Sequence, residues 1–108
     1  MSKALKLSTL LKAATASVVG NIAGPANSGF KTFQASVTGT GAVTATLKIQ
    51  VSNNPTLMGW LDLATITLSG TTTATDGFAS EASWLFWRAN LTAVTGTGAS
   101  VDCQASEE

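Results

Sequence analysis

The stretch Trp84-Leu85-Phe86-Trp87-Arg88 concentrates three large rings and a guanidinium in five residues. In a strand, side chains alternate between faces, so Trp84, Phe86 and Arg88 share one side and Leu85 and Trp87 the other. If Leu85 and Trp87 fill a core, two rings and a cation stand on the opposite face. Aromatic residues beside arginine are the usual anchors of protein interfaces. Two other readings stay open at this stage. The strand is central and covered on both faces, with the N-terminal segment as cover, or the rings form a platform for a sugar.

Bond-making chemistry finds little support. The chain has no histidine and no tyrosine, which removes the commonest general base and metal ligand. Asp62, Asp76 and Glu81 are the carboxylates that a glycosidase pair would need, but nothing in their spacing converges them. Cys103 stands alone, with no partner for a disulfide or a zinc site, and alternation places it with Val101 and Ala105 as a small buried hydrophobe. Gly39-Thr40-Gly41 and Gly96-Thr97-Gly98 are not phosphate loops, because each lies between strands with no helix after it. Asp76-Gly77 has too few acids around it for calcium. The expectation is a non-enzymatic protein with no catalytic residues, cofactor or metal.

Charge sharpens this. Only 11% of the 108 residues are charged, six basic against six acidic, while 17 threonines and 11 serines take the polar positions. A soluble domain averages about 25% charged residues. A surface so poor in charge suits a protein packed into an assembly, and a homo-oligomer is expected. The six cations form no stripe that could neutralise many phosphates, so nucleic acid is not an expected partner. Four of the five lysines lie within the first 31 residues, and all six acids lie from Asp62 onward. Opposite ends of opposite sign permit head-to-tail contacts between copies. Lys3, Lys6 and Lys12 therefore join Trp84, Phe86 and Arg88 as candidate partner-binding residues. Lys12 interrupts the apolar stretch that a secretory signal would need, and no run approaches the length of a membrane span.

The elements that must position these groups are strands. Val43, Ala45, Leu47, Ile49 and Val51 alternate with Thr44, Thr46, Lys48 and Gln50, a clean period of two. Phe30–Thr38 reads the same way, with Phe33, Ala35 and Val37 on one side. In Trp60–Leu68 the phase slips, and a bulge near Leu63-Ala64 reconciles the two parts. Asp76-Gly77 and Ser52-Asn53-Asn54-Pro55 read as turns. The hexapeptide Val-Thr-Gly-Thr-Gly-Ala occurs at Val37–Ala42 and again at Val94–Ala99, and each copy is expected at a hairpin tip. The segment Ala4–Val19 has mixed signals, leucines at near-helical spacing against β-branched residues, and is expected as an extended arm ending in a strand. Six to eight short strands predict an all-β, antiparallel two-layer β-sandwich. Jelly-roll-like and immunoglobulin-like connections both remain open. The domain division is an N-terminal arm and loop over residues 1–29 and a β-sandwich over 30–108.

Several stretches carry a resemblance: Lys31-Thr-Phe-Gln-Ala35, Val37–Ala42, Ala74-Thr-Asp-Gly-Phe78, and Trp84 with Trp87-Arg-Ala-Asn90 running into Thr92–Ala99. Through them the chain resembles small β-sandwich virion structural proteins of tailed bacteriophages, some of which are capsid cement or decoration proteins. The resemblance covers roughly Phe30–Val101 and implies no enzymatic residues. It implies a jelly-roll-like sandwich, a major capsid protein as partner and a place on the capsid surface of the virion. A tail or portal-vertex component and a carbohydrate-binding module are the competing readings.

Overall fold

The computed structural model describes residues 6–26, 30–81 and 84–107. Among these residues the chain is antiparallel β throughout, apart from one helical turn. In order come β1 (Lys6–Ala14), β2 (Val18–Val19), β3 (Lys31–Ser52), α1 (Pro55–Met58), β4 (Leu61–Ser80) and β5 (Phe86–Glu107). The sheet order is β1-β5-β3-β4, with β2 also pairing β5. The segment whose sequence signals conflicted is extended from Lys6 onward, and it lies against β5 from Lys6↔Glu107 to Ala14↔Val101.

β3 is the central strand. It pairs with β4 from Lys31↔Ser80 to Val51↔Leu61, and with β5 from Lys31↔Glu107 to Ser52↔Phe86. A straight strand of 22 residues would extend roughly 70 Å at about 3.3 Å per residue. The longest dimension of the molecule is 42 Å. The long strands must therefore bend, and they do so together. The β3 register shifts between Thr38 and Ala42 against β4, and twice between Thr38 and Thr44 against β5.

The two Val-Thr-Gly-Thr-Gly-Ala copies form this corner. They lie side by side on neighbouring strands, with Thr38 opposite Ser100 and Thr40 opposite Thr97. The second glycine of each copy has left-handed backbone, φ +74° at Gly41 and +63° at Gly98. Other L-residues lose about 1–2 kcal/mol there. The extra residues are bulges, which bend a strand and add twist. The expected hairpin tips are thus corrected. The repeat bends two continuous strands where the sequence suggested that it ends them. Glycine signals both outcomes locally, and only pairing on both sides of β3 decides between them. Asp76-Gly77 is corrected for the same reason, since it lies inside β4 opposite Ala35 and Gln34. The Leu63 bulge is where the phase slip put it, between the pairs Ile49↔Ala64 and Gln50↔Asp62.

Folding three long strands across one corner makes two layers. One contains β1 with residues 31–38, 73–80 and 100–107. The other contains β2 with residues 44–52, 61–71 and 86–95. The layers meet again at their far ends. Lys31 Nζ, from the start of β3, sits 4.9 Å from the ring centre of Trp87, which pairs with Val51 near the end of β3. Both residues are buried. Burial lowers the Lys31 pKa, against the opposing pull of Glu107. The connectivity that spacing left open is a β3–β4 hairpin followed by a crossover that carries the chain from the β4 edge to β5 on the other side of β3, with the layers produced by bending.

The core fills the space between the layers. Phe33, Ala35, Val37, Val101, Cys103 and Ala105 come from one side. Val43, Leu47, Ile49, Ile66, Leu68, Trp87 and Leu91 come from the other, and Leu10 and Leu11 of β1 close the cluster. Phe78 stacks on Phe33 with ring centres 5.0 Å apart. Cys103 is fully buried, and burial pushes its thiol pKa up to about 12.

Candidate interaction surface

The outer face of the second layer carries a connected set of side chains across three strands. Arg88 on β5 and Asp62 on β4 both lie opposite Gln50 on β3. Arg88 Nε donates to Gln50 Oε1 at 2.8 Å, and Gln50 Nε2 donates to Asp62 Oδ1 at 3.0 Å. Lys48 Nζ reaches Asp62 Oδ2 at 3.4 Å. The Arg88 guanidinium lies 4.3 Å from the ring centre of Trp60, the residue just before β4. Burial lowers the Arg88 pKa, and arginine stays charged regardless. The Gln50 hydrogen bond, with help from Lys48, holds the Asp62 carboxyl below its ordinary range. Lys48 and Asp62 are half exposed, and solvent screening leaves such a pair little weight in stability. The consequence of the set is geometric: it fixes Trp60 against the sheet.

Beyond this face the molecule ends in apolar groups. Asn54 caps α1, its Oδ1 accepting from Leu57 N at 3.1 Å, with Pro55 opening the turn and Gly59 at φ +73° ending it. A single turn buries nothing, and it leaves Leu57 78% and Met58 74% exposed, with Leu61 nearby at 58%. Asn53 Oδ1 accepts from Leu85 N at 3.2 Å and ties this end to the segment before β5. Between them lies a cleft of about 350 Å³ lined by Ser52, Asn53, Met58, Gly59, Leu61 and Trp84. Exposed apolar groups clustered around a cleft mark a contact site more often than single ones do.

The sequence-predicted residues divide between the layers. Trp84 is half buried at the cleft and packs against the rim of the core. Phe86 is half buried opposite Ser52, close against Gly24. Arg88 shares their layer, but its ring partner is Trp60. Trp87 is in the core, as alternation required, while Leu85 is 38% exposed. Lys6 and Lys12 are exposed on β1, in the other layer, and so are not brought together with the aromatic group. Lys3 lies outside the described residues.

Trp60, Leu57, Met58 and Leu61 were missed by sequence reasoning. A usable signal exists for two of them. Asn54-Pro55-Thr56-Leu57-Met58-Gly59 is a capped helical turn too short to bury its own leucine and methionine. Trp60 had no such signal, because its partner Arg88 is 28 positions away.

The outer face of the first layer differs. Its hollow, about 320 Å³, is lined by Gln34, Ala35, Ser36, Thr75, Asp102 and Gln104. Thr32 and Ser106 hydroxyls hydrogen-bond across the same face. No group of three or more metal-ligating side chains is present among the described residues. No helix among them is long and apolar enough to cross a membrane.

No protein-family model matches the chain. No curated protein matches it either. Among solved structures, it is similar to the SPBc2 prophage-derived protein YomS. The TM-score is 0.57 at 15% sequence identity, over 95% of this chain and 91% of that one. At that identity the likeness establishes a shared all-β fold.

Proposed function

We propose that this is a non-enzymatic bacteriophage structural protein that binds the capsid shell and bridges neighbouring major capsid subunits. The observation that carries the reading is the apolar end of the second layer. Leu57, Met58 and Leu61 are largely exposed beside the Trp84 cleft, on a chain with only 11% charged residues. Burying one such side chain contributes about 1.5–3 kcal/mol. Repeated over many sites, contacts of this size reinforce a shell that each holds only weakly. The fold likeness to a prophage-derived protein supports a phage setting, as does the resemblance of the strand motifs to virion structural proteins.

In this reading the contact face runs from α1 across Trp84 and Phe86 to the Trp60–Arg88 stack. The N-terminal segment plays a smaller part. From Lys6 onward it is a strand of the sandwich, so Lys6 and Lys12 act as exposed charges on β1 and do not reach across a shell. A sugar platform is disfavoured because Arg88 already lies over the Trp60 ring and Trp84 packs on the core rim.

Reconstitution tests the proposal. Purified protein should co-sediment with expanded capsids and raise the temperature at which they break. Failure to bind, or binding with unchanged heat stability, rules the cement role out. Ring-shaped oligomers that bind tails or portal vertices instead would move the protein to those sites.

A further inference from the structure

The two edges of the sheet are protected to very different degrees. A sheet edge presents unpaired backbone groups, and proteins guard it with lysines, bulges or covering segments. β1 has all three. Lys6 and Lys12 flank it, its register shifts twice, and Asn21 donates to the carbonyls of Leu10 and Thr9. β4 has little of this. Among the described residues it pairs with β3 alone, and it contains no lysine and no proline over 20 residues. From Leu63 to Thr75 it carries no charge at all. Ala64-Thr65-Ile66-Thr67-Leu68 lies in the straight stretch between the Leu63 bulge and the corner at Gly70–Thr72. Such a β-branched, uncharged segment on an open edge is an aggregation hazard unless something pairs with it.

The segment complements itself. Thr65-Ile66-Thr67 reads the same in both directions, and antiparallel pairing about Ile66 sets Thr65 against Thr67 of a second copy. Ala64 then faces Leu68, small against large, and both are on the core side with Ile66. Because residues of the same parity oppose each other, the inner and outer faces of the two sheets stay continuous. Asp62 would face Gly70 of the other copy, so no carboxylates oppose each other. The upper half of β4 is less suited, since Asp76 lies in its middle.

We propose that the β4 edge from Ala64 to Leu68 is a dimerisation surface, pairing antiparallel with the same segment of a second copy about a two-fold axis at Ile66. An isologous contact of this kind closes on itself and consumes the open edge of both copies. In the joined second layers the outer edges are then the β2 strands, only two residues long in each copy, and so short an edge offers little template for further growth.

Sedimentation of the purified chain tests this. The wild type should sediment at twice the monomer mass. Thr65→Lys with Thr67→Lys should lose the dimer while keeping a cooperative unfolding transition, since both threonines are exposed. Val18→Lys, on β2 at the opposite edge of the same layer, should leave the dimer intact. If the double lysine variant fails to fold, Thr65→Cys with Thr67→Cys provides a second route. Mild oxidation should link two copies, because Cys103 is buried and its thiol is held protonated. A monomeric wild type, a dimer that survives both lysines, or no cross-link between folded copies overturns the proposal.

Discussion

Residues 31–38, 73–80 and 100–107 form one layer, and the continuations of the same three strands form the other, yet their outer faces differ. The first presents Gln34, Ser36, Thr75, Asp102 and Gln104 around a polar hollow. The second presents Trp60 under Arg88, the Gln50–Asp62–Lys48 connection and an apolar tip at Leu57 and Met58. Backbone architecture is therefore not what distinguishes the faces. Alternation gives both layers the same inward set of apolar residues, and what varies is the outward set. A protein that binds through one face can keep the other inert in this way, with hydroxyls and amides that water satisfies.

The largest effect is expected where the layers close on each other. Trp87 fills that junction under Lys31. Trp87→Ala should cost about 3–5 kcal/mol in denaturant unfolding, as large aromatic truncations in cores do. Trp87→Phe should cost clearly less, because the indole N–H has no hydrogen-bond partner among the described residues. Equal losses for the two variants would mean that Trp87 does not join the layers by packing.

Next comes the corner that separates the layers. Gly98→Ala meets open space but must adopt φ +63°. The expected loss is about 1–2 kcal/mol in the same measurement. If the repeat marked a hairpin tip with freedom to rearrange, the loss would be much smaller.

The smallest effect distinguishes the two outer faces directly. Asp62 has its folded pKa below the ordinary 3.8 because Gln50 and Lys48 favour the carboxylate. Its contribution is therefore present above pH 3.8 and is lost as the pH falls through the lower folded value. Melting temperatures of the wild type and Asp62→Asn should differ near neutral pH and converge in acid. A difference that persists in acid would assign the effect to something other than this charge.

How much of this was legible depended on the range of the interaction. Period-two alternation along Val43–Val51 fixed which side chains point inward, and every one of those five is buried. The slipped phase at Leu63 located a bulge, because one extra residue reverses all side chains beyond it. The corner was misread because Gly-Thr-Gly permits a reversal and a bend alike, and the choice lies in strands whose paired residues are far off in sequence, as in Ala42↔Thr71 and Val37↔Val101. The aromatic group was half legible. Trp84, Phe86 and Arg88 were expected on one face of a strand. Phe86 and Arg88 alternate with Trp87 in β5, Trp84 precedes the strand at the cleft, and Trp60 comes to Arg88 only through the β3–β4 pairing. Lys31 over Trp87 could not be read at all, since it requires the sheet to be folded first.

The claim that partner binding belongs to the second layer alone is tested most directly by comparing two double variants on expanded capsids. Leu57→Asp with Met58→Asp changes two highly exposed residues of the second layer, and Gln34→Ala with Gln104→Ala changes two of the first. Both should fold with wild-type melting behaviour, since exposed substitutions usually shift stability by no more than about 0.5 kcal/mol. The account predicts that the first variant loses capsid binding and the second binds as the wild type does. Retained binding by the first variant, or loss by the second, would contradict it.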